Sequence, residues 1–579
     1  MPIHRRRPAS TISRSDGRRP FAAAWPRRAA ALSLVALLAQ GACAPHSPEP
    51  AAPSMAEQPA PDQPKLLDGL GGQKHPITTT SALAQRYFDQ GLILTFGFNH
   101  EAAVRSFEAA TRFDPECAMC FWGIALALGP NINAPMGPEA GARAYAAAQA
   151  ATRLAPKASA AEQAYIAAVA ARYASPPPQD RSALDRAYAE AMGKLHAAYP
   201  DDVDATVLYA ESLMDLYPWD YWTDAAEPRE HTLEIVALLE ESLAARPDHV
   251  GANHYYIHAV EEYYPEKAEA AADRLGALAP DAGHLVHMPS HIYYRLGRYD
   301  DALEINRRAV AADEAFFSWC RPDVFYRAAY YPHNIHFLWA AANAEGRSEL
   351  AIMTARKLAA KTSEQLAALP FLEEFQAIPI LTLVRFGRWD AVLGEPAPPE
   401  EHVYLQGTWH YARGMALLRT DRVDEAEAEL ARLRTLANDP RAEALILAGG
   451  TASARTLLGI ATAHLEGEVW FARGDLDAAV SSLEQAVALE KSLVYMEPPP
   501  WYAPTRQYLG AVLLAADRAP EAESVYRADL EKYPGNGWSL FGLTRSFEAQ
   551  GRDAEAAWAK QGFQTAWARA DVELTSSRF

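Results

Sequence analysis

The chain has 579 residues, of which 50% are hydrophobic, and a formal net charge of -19 at pH 7. A chain of this length exceeds what one compact core can bury, so we expect several domains or one extended array. The first 42 residues carry eight Arg and one Asp, a net charge of +7, which leaves -26 on the remainder. Such an acidic body argues against nucleic acid as a partner and gives no reason to expect binding to anionic lipid.

The N-terminal segment has the layout of an export signal. Arg27 and Arg28 precede an apolar run of about eleven residues, too short to span a bilayer, and small residues then lead to Cys43. The letters "QGAC" resemble a bacterial lipoprotein box, which implies that Cys43 is lipidated. We therefore predict a signal peptide over residues 1–43 and an exported protein, periplasmic or anchored to the outer membrane as a lipoprotein. "GRRPF" at residues 17–21 resembles a twin-arginine signal, so the general and twin-arginine export routes both stay open.

A proline-rich stretch follows the predicted signal peptide. Residues 44–65 contain seven Pro, a composition that cannot pack and that favours an extended chain. We predict a Pro/Ala-rich tether over residues 44–76 that holds the folded part away from the membrane. Contact with a membrane is then expected only through the N-terminal lipid anchor.

Two further cysteines stand close together in "CAMC". Cys117 and Cys120 are not a c-type haem attachment site, because Phe121 rather than His follows the second cysteine. No strand precedes the pair, which disfavours a thioredoxin-like site. Two interpretations remain: small residues packed at the start of a helix, or a redox or metal-binding pair.

From residue 77 onward the chain reads as helices and repeats itself. Glycine begins each unit, and small or bulky apolar residues follow at offsets of 12, 16 and 19, often with Pro at 24. The clearest units are Gly91, Ala103, Phe107, Ala110 and Pro115; Gly467, Ala479, Leu483 and Ala486; and Gly510, Ala522, Tyr526 and Pro534. Small residues let two antiparallel helices approach closely, and the larger ones fill the space between them.

This pattern resembles the tetratricopeptide-repeat (TPR) family. The resemblance implies an all-α, superhelical solenoid of antiparallel helix pairs. We predict a divergent TPR-like half over residues 77–393, a linker over 394–402 and a regular TPR array over 403–579. The regular half is suited to contacts with other proteins.

Consecutive units of the divergent half carry histidine at matching positions. Seven residues after Pro200, Pro247 and Pro280 stand Val207, His254 and His287, and eleven residues after them stand Glu211, His258 and His291. The glycines of the turns give a second alignment. His287 and His336 lie ten residues before Gly297 and Gly346, and His284 and His333 lie thirteen residues before them. By the TPR resemblance these positions lie on the helix that lines the concave groove. The predicted ligand set is His254, His258, His284, His287, His291, His333 and His336.

Histidines in this arrangement have the chemistry of a metal site. An i,i+4 pair projects two imidazoles from one helix face, and neighbouring helices lie roughly 8–10 Å apart, so their rings can converge on one ion. Neutral imidazoles suit Zn, Cu or Fe. Pro289 would break a helix that runs from His284 to His291 unless it occupies a first turn, and His284 and His287 would then belong to the preceding loop, which can still direct them to the groove. The candidates for outer partners of the ligands, or for other groove residues, are Glu211, Glu261, Glu262, Tyr255 and Tyr294.

Three functions stay open at this point. The leading hypothesis is a cell-envelope protein whose groove binds a transition metal. The second is a metal-dependent hydrolase or oxidoreductase with an open coordination position in the same cluster. The third is a metal-free scaffold that binds an envelope protein or peptide in the groove. No phosphate-binding glycine loop and no nucleophile elbow occurs in the sequence, so no nucleotide is expected.

Overall fold

A computed structural model describes residues 64–137, 139–318, 320 and 324–579 of the chain. The predicted signal peptide, its Cys43 and most of the predicted tether lie outside the described residues. The helices are α1 Ala82–Phe96, α2 His100–Phe113, α3 Ala118–Ala127, α4 Ala140–Leu154, α5 Ala160–Ala171, α6 Ser182–Ala198, α7 Val203–Met214, α8 Thr232–Ala245, α9 Val250–Val260, α10 Glu269–Leu278, α11 Gly283–His287, α12 Pro289–Arg295, α13 Tyr299–Phe317, α14 Val324–Ala328, α15 Tyr330–Ala344, α16 Ser348–Thr362, α17 Glu373–Arg385, α18 Trp389–Gly394, α19 Val403–Leu418, α20 Val423–Ala437, α21 Pro440–Ala444, α22 Ala454–Arg473, α23 Leu476–Lys491, α24 Thr505–Ala515, α25 Ala519–Lys532, α26 Gly537–Ala549 and α27 Asp553–Ala566.

Helices dominate the described residues and pack in sequence order. α1 packs on α2, α19 on α20, α22 on α23 and α26 on α27, and short turns join the two members of each pair. Helices joined by such short turns run antiparallel. The strands of the described part form one small antiparallel hairpin, in which β1 Ile446–Leu447 pairs with β2 Ala452–Ser453. The prediction of an all-α, TPR-like solenoid of antiparallel helix pairs is confirmed.

The predicted linker, residues 394–402, connects α18 to α19, and both helices pack on neighbouring helices. α18 ends at Gly394 and α19 begins at Val403, and α17 packs directly on α19 across this connection. The helical packing therefore continues from one side of residues 394–402 to the other. The division into a divergent and a regular half stays a prediction. None of the described helices combines the length and the apolar character that crossing a bilayer requires.

The repeated glycines have a direct packing role in the first unit. Phe107 on α2 lies between Gly91 on α1 and Gly123 on α3. A Cβ atom would stand 2.7 Å from the Phe107 ring at Gly91, and 2.3 Å from it at Gly123. The ring thus occupies the space that two missing side chains leave. This explains why glycine and a bulky residue recur at a fixed offset in the sequence.

We expect Gly123→Ala to lower the free energy of unfolding by about 1–3 kcal/mol, because the added methyl group overpacks the core against Phe107. Urea unfolding followed by circular dichroism measures the change. Gly459→Ala is the matched control, since its Cβ would lie 3.7 Å from the nearest atom, on Leu489, an ordinary contact. That variant should be as stable as the parent or more stable by up to about 1 kcal/mol, because Ala favours the helix. Equal stability of the two variants would contradict the packing argument.

The C-terminal end of the predicted tether packs on the helices instead of extending freely. Leu70 is buried, and the Tyr87 hydroxyl donates to the Pro64 carbonyl at 2.9 Å. His75 Nδ1 lies 3.0 Å from Asp204 Oδ2. Residues 64–76 therefore belong to the folded part, because their apolar and hydrogen-bonding side chains find partners there. Residues 44–63 of the predicted tether lie outside the described residues.

The two cysteines of "CAMC" form a disulfide at the start of α3. Both are buried, and the Cys117 Sγ atom accepts a hydrogen bond from the backbone N–H of Cys120. In this disulfide neither sulfur is a thiolate, so the pair does not provide metal ligands in this form.

Candidate metal centre

Four helices carry the predicted histidines and bring most of them together. The positions are His254 and His258 on α9, His284 and His287 on α11, His291 on α12, and His333 and His336 on α15. Pro289 is the first residue of α12, and Met288 before it keeps helical dihedral angles (φ -51°, ψ -36°). Because proline is tolerated at a first helical position, α12 continues almost directly from α11. His284, His287 and His291 therefore stay on one nearly continuous helix.

Three of these imidazoles meet nitrogen to nitrogen. We call His287, His291 and His333 the 287 triad. His287 Nε2 lies 3.0 Å from His291 Nε2, which lies 3.4 Å from His333 Nε2. Nitrogen ligands bound about 2.0–2.1 Å from a tetrahedral ion are separated by about 3.3 Å. Two of the three separations therefore match one transition-metal ion, and all three ligand nitrogens lie within 4.8 Å of one another.

The other ring nitrogens of this triad fix which atoms face inward. His287 Nδ1 donates to Asn306 Oδ1 at 2.7 Å, and Asn306 donates its amide nitrogen to a backbone carbonyl one turn earlier, which sets the orientation of the amide. His291 Nδ1 lies 2.7 Å from Glu261 Oε2, at ion-pair distance from this carboxylate. His287 thus presents Nε2 as an electron-pair donor, and the carboxylate beside His291 Nδ1 is an outer partner of the kind that metal-bound histidines have.

Burial and charge act differently on the members of the 287 triad. Burial lowers the pKa of His287 and of His333 well below the ordinary value, so both rings are neutral. Burial also lowers the pKa of His291, but the Glu261 carboxylate outweighs it and leaves the pKa raised. A proton on His291 Nε2 could form a hydrogen bond to His287 Nε2. The contact between His291 and His333 would then have no proton between its two nitrogens. A cation placed among the three nitrogens would satisfy all of them.

A second triad lies beside the first. We call His254, His258 and His284 the 254 triad; their ligand nitrogens lie within 4.8 Å of one another. His254 Nδ1 donates to the Phe96 carbonyl at 2.5 Å, which leaves Nε2 as the electron-pair donor. The Nε2 atoms of His254 and His258, and both ring nitrogens of His284, are buried with no hydrogen-bond partner among the described residues. Burial lowers the pKa of all three rings.

Glu261 connects the two triads. Its Oε1 lies 3.2 Å from His258 Nδ1, and its Oε2 lies 2.7 Å from His291 Nδ1. The carboxyl group is 1% exposed. Burial alone would raise the pKa of Glu261, but His291 and His258 outweigh it and lower the pKa to about 2. One carboxylate therefore orients one imidazole of each triad, and its charge favours a cation in either.

The predicted groove is not open at the histidines, which corrects the prediction from sequence. Phe98, in the turn after α1, stacks on His258 and His284 with centroids 6.0 and 5.7 Å apart and lies 4.6 Å from His254. The Trp219 ring meets His258 edge-on at 5.0 Å. Phe98 is buried against the imidazoles, whereas Trp219 covers His258 from an exposed position. The site is a buried centre, and His333 is its partly exposed member.

His336 and Glu211 are predicted site residues that lie outside both triads. The His336 ring stacks on Trp339 at 5.2 Å, and burial lowers its pKa to about 3. Glu211 lies beside Arg172 and Asp215 in a separate buried cluster, where burial raises its pKa. A matched position in the repeat therefore predicts which helix carries a side chain. It does not predict which neighbouring residues that side chain contacts.

Three further candidates surround the centre without entering it. Tyr255 packs on Phe98, with ring centroids 5.8 Å apart. Tyr294 packs on Phe337, which contacts both His287 and His291. Burial raises the pKa of the third candidate, Glu262, to about 7. No contact of this carboxyl with either triad is found among the described residues.

Other residues near the centre carry no signal in the sequence. Asn306 lies on α13, the helix that follows α12 across the turn at Gly297, and Glu497 lies far along the chain in the loop before α24. Glu497 Oε2 lies 3.9 Å from His291 Nδ1, and burial raises the pKa of this carboxyl to about 8.

A third cluster of potential ligands, His75 with Asp202 and Asp204, is a hydrogen-bonded group. Asp204 accepts from His75 Nδ1 at 3.0 Å and from His249 Nε2 at 2.8 Å, so its oxygens already have partners.

Comparisons with known proteins concern the fold only. No family model and no curated protein matches the chain. Among solved structures it is similar to the human IFIT1 dimer with PPP-AAAA, at 11% identity and a TM-score of 0.31, over 84% of this chain and 91% of that one. It is also similar to the APC/C hetero-tetramer Cut9-Hcn1, at 11% identity and a TM-score of 0.28, over 84% of this chain and 94% of that one. At these TM-scores the likeness carries no argument about this chain, and the fold assignment depends on its own helix pairs.

Proposed function

We propose that the protein binds a transition-metal ion between His287, His291 and His333, with a second, looser site at the 254 triad. The observation that carries this proposal is the convergence of three Nε2 atoms at 3.0 and 3.4 Å. Asn306 and Glu261 lie against the other nitrogens of His287 and His291, as outer partners of metal-bound histidines do, and one cation would satisfy all three Nε2 atoms.

The donor set favours a particular class of metal. Each triad offers imidazole nitrogens and no carboxylate or thiolate. Such donors suit Zn, Cu or Fe and disfavour Ca²⁺ and Mg²⁺, which prefer oxygen ligands. We therefore propose a first-row transition ion as the ligand.

We propose the cell envelope as the place of action, with Cys43 as the lipid anchor and an envelope protein or peptide as partner. The proposal is supported by the signal-like N-terminal sequence and by the Cys117–Cys120 disulfide, which suits an oxidising compartment. Acylation can be tested directly by mass spectrometry of the mature N-terminus in the parent and in Cys43→Ser.

Titration with Co²⁺ tests the metal site in solution. Protein freed of metal with a chelator should take up Co²⁺ and develop the strong visible absorption of a tetrahedral site. Added Zn²⁺ should bleach this absorption at a fixed stoichiometry. Absence of any visible band after Co²⁺ is added, or a weak octahedral spectrum that Zn²⁺ does not displace, would overturn the proposal.

We expect Glu261→Gln to weaken Zn²⁺ binding by about 10–100-fold, because the substitution removes the charge that orients an imidazole of each triad. Competition with a chromophoric chelator measures the dissociation constant. Glu262→Gln is the matched control: it makes the same change one residue along the chain, in a carboxyl outside both triads, and should bind as the parent does. Equal affinities for the two variants would show that Glu261 does not support the metal.

A second candidate function is a metal-dependent hydrolase or oxidoreductase. It is favoured by the number of protein ligands, since three imidazoles leave a fourth position for water or substrate, as in catalytic sites. Turnover by metal-loaded protein that a chelator abolishes would distinguish this enzyme from a metal-binding protein without activity.

A metal-free interaction scaffold is the third candidate, and it is favoured by the repeated helix pairs. It predicts that histidine substitutions leave partner binding unchanged and that the chain takes up no metal.

A further inference from the structure

A second buried site lies where α12, α15 and α17 meet the loop before α24. Arg385, at the end of α17, lines a cavity of about 40 Å³ together with aromatic side chains of these segments. We call it the Arg385 cavity. A volume of this size holds a few water molecules or a ligand of a few heavy atoms, since one water needs about 10–15 Å³.

Arg385 is a buried cation without a carboxylate partner. Arg385 is 3% exposed and forms no ion pair with a carboxylate of the described residues, because Asp529, the carboxylate that acts on it, lies beyond ion-pair distance. Nη2 donates to Gln507 Oε1 at 2.6 Å, and Nε donates to Asn343 Oδ1 at 3.3 Å, both neutral amides. The guanidinium lies 3.5 Å from the centre of the Trp538 ring. Nη1 has no hydrogen-bond partner of normal geometry among the described residues.

Three more polar groups that line the same cavity are buried without partners. They are the hydroxyls of Tyr299 and Tyr533 and the indole Nε1 of Trp501. An indole N–H can only donate, and a guanidinium has no acceptor, so these groups need an acceptor on the ligand. A buried charge that has no ion-pair partner, together with donors that lack an acceptor, favours an anion as the ligand.

We propose that the Arg385 cavity binds a small organic carboxylate of about the size of acetate. A carboxylate offers two planar oxygens, which match the fork of a guanidinium and can also accept from the tyrosine and tryptophan donors. Its short carbon chain suits the aromatic walls and the small volume. The proposal adds a ligand to the molecule and does not depend on the metal centre.

Two packed aromatic rings separate the Arg385 cavity from the 287 triad. Tyr294 lines the cavity and packs on Phe337 at 6.0 Å, and the Phe337 ring lies 4.7 Å from His291. Pro498, which also lines the cavity, follows Glu497, whose carboxyl lies 3.9 Å from His291 Nδ1. A bound carboxylate would therefore be separated from His291 by two side chains, Tyr294 and Phe337.

Thermal unfolding with matched small molecules tests the proposal. Sodium acetate should raise the melting temperature in a saturable manner in both the chelator-treated and the metal-loaded protein, because it binds the native state only. Acetamide has nearly the same shape without the charge and should have no effect, as should NaCl at equal ionic strength. Equal responses to acetate, acetamide and NaCl would mean that the cavity holds water only, which would overturn the proposal.

Substitutions then locate the effect. Arg385→Met should abolish the acetate response, whereas Arg307→Met, at an exposed position, should keep it. Trp501→Phe and Tyr299→Phe keep a ring in place and remove one donor, so each should weaken acetate binding by about tenfold or more, even if Arg385→Met does not fold. An unchanged acetate affinity in both conservative variants would place the ligand elsewhere and contradict the assignment.

Discussion

We expect His291→Gln to weaken Zn²⁺ binding at the 287 triad more strongly than a change to an outer partner of a metal ligand does. A change to an outer partner lowers the affinity by about 10–100-fold. His291 Nε2 is the central atom of the triad, because it lies 3.0 Å from His287 Nε2 and 3.4 Å from His333 Nε2. Its loss leaves two ligands on different helices and removes the link to Glu261. Chelator competition at constant pH and salt measures the affinity.

The chain contains a matched control for this substitution. His336 is also buried and also occupies a repeat-matched position, but its ring stacks on Trp339 outside both triads. His336→Gln should therefore bind Zn²⁺ as the parent does. If the two variants lose affinity equally, the convergence at His291 has no special role.

Replacing Arg172 by Met is expected to lower the free energy of unfolding by about 3–5 kcal/mol, because the change leaves buried carboxyl groups without their cation. The Arg172 side chain is 1% exposed; its Nη2 donates to Asp215 Oδ2 at 2.5 Å and to the Pro130 carbonyl at 3.0 Å. Burial raises the pKa of Asp215, and neighbouring Glu211 raises it further, whereas the Arg172 guanidinium lowers it and is the counter-cation of the pair. Urea unfolding measures the loss.

Two comparisons make this result specific. Arg307→Met removes an exposed pair with Glu304 and should cost only about 0–1 kcal/mol. Arg172→Met combined with Asp215→Leu should recover part of the lost stability, because no partner of that ion pair then remains buried alone. A loss below about 1 kcal/mol in the single variant would show that the cluster tolerates an unpaired carboxyl.

The helical array was predictable because its packing depends on local patterns. A glycine and a bulky ring at a fixed offset, as in Gly91 and Phe107, describe a contact between adjacent helices of one pair. Such contacts have a short separation along the chain and recur in each unit. The extent of the tether was less predictable, because His75 is buried by a contact with Asp204 that lies far along the sequence.

The candidate site was predictable in its residue type and only partly in its geometry. Repeat matching placed six of the seven predicted histidines in the two triads, and the sequence also suggested Glu261. It could not separate His336 from the others, since the direction of a side chain on a packed helix depends on how that helix is rotated against its neighbours. The covering ring of Phe98 comes from another repeat, Asn306 lies on the helix paired with α12, and no periodic pattern marks either of them.

The measurement that tests the central claim most directly is the metal content of full-length protein purified without a histidine tag, combined with X-ray absorption spectroscopy of the bound ion. We predict about one equivalent or more of Zn, Cu or Fe per chain, with a first shell that contains imidazole nitrogens at about 2.0–2.1 Å. Protein that contains none of these metals, and that acquires none after incubation with each of them, would contradict the assignment of the 287 triad as a metal centre.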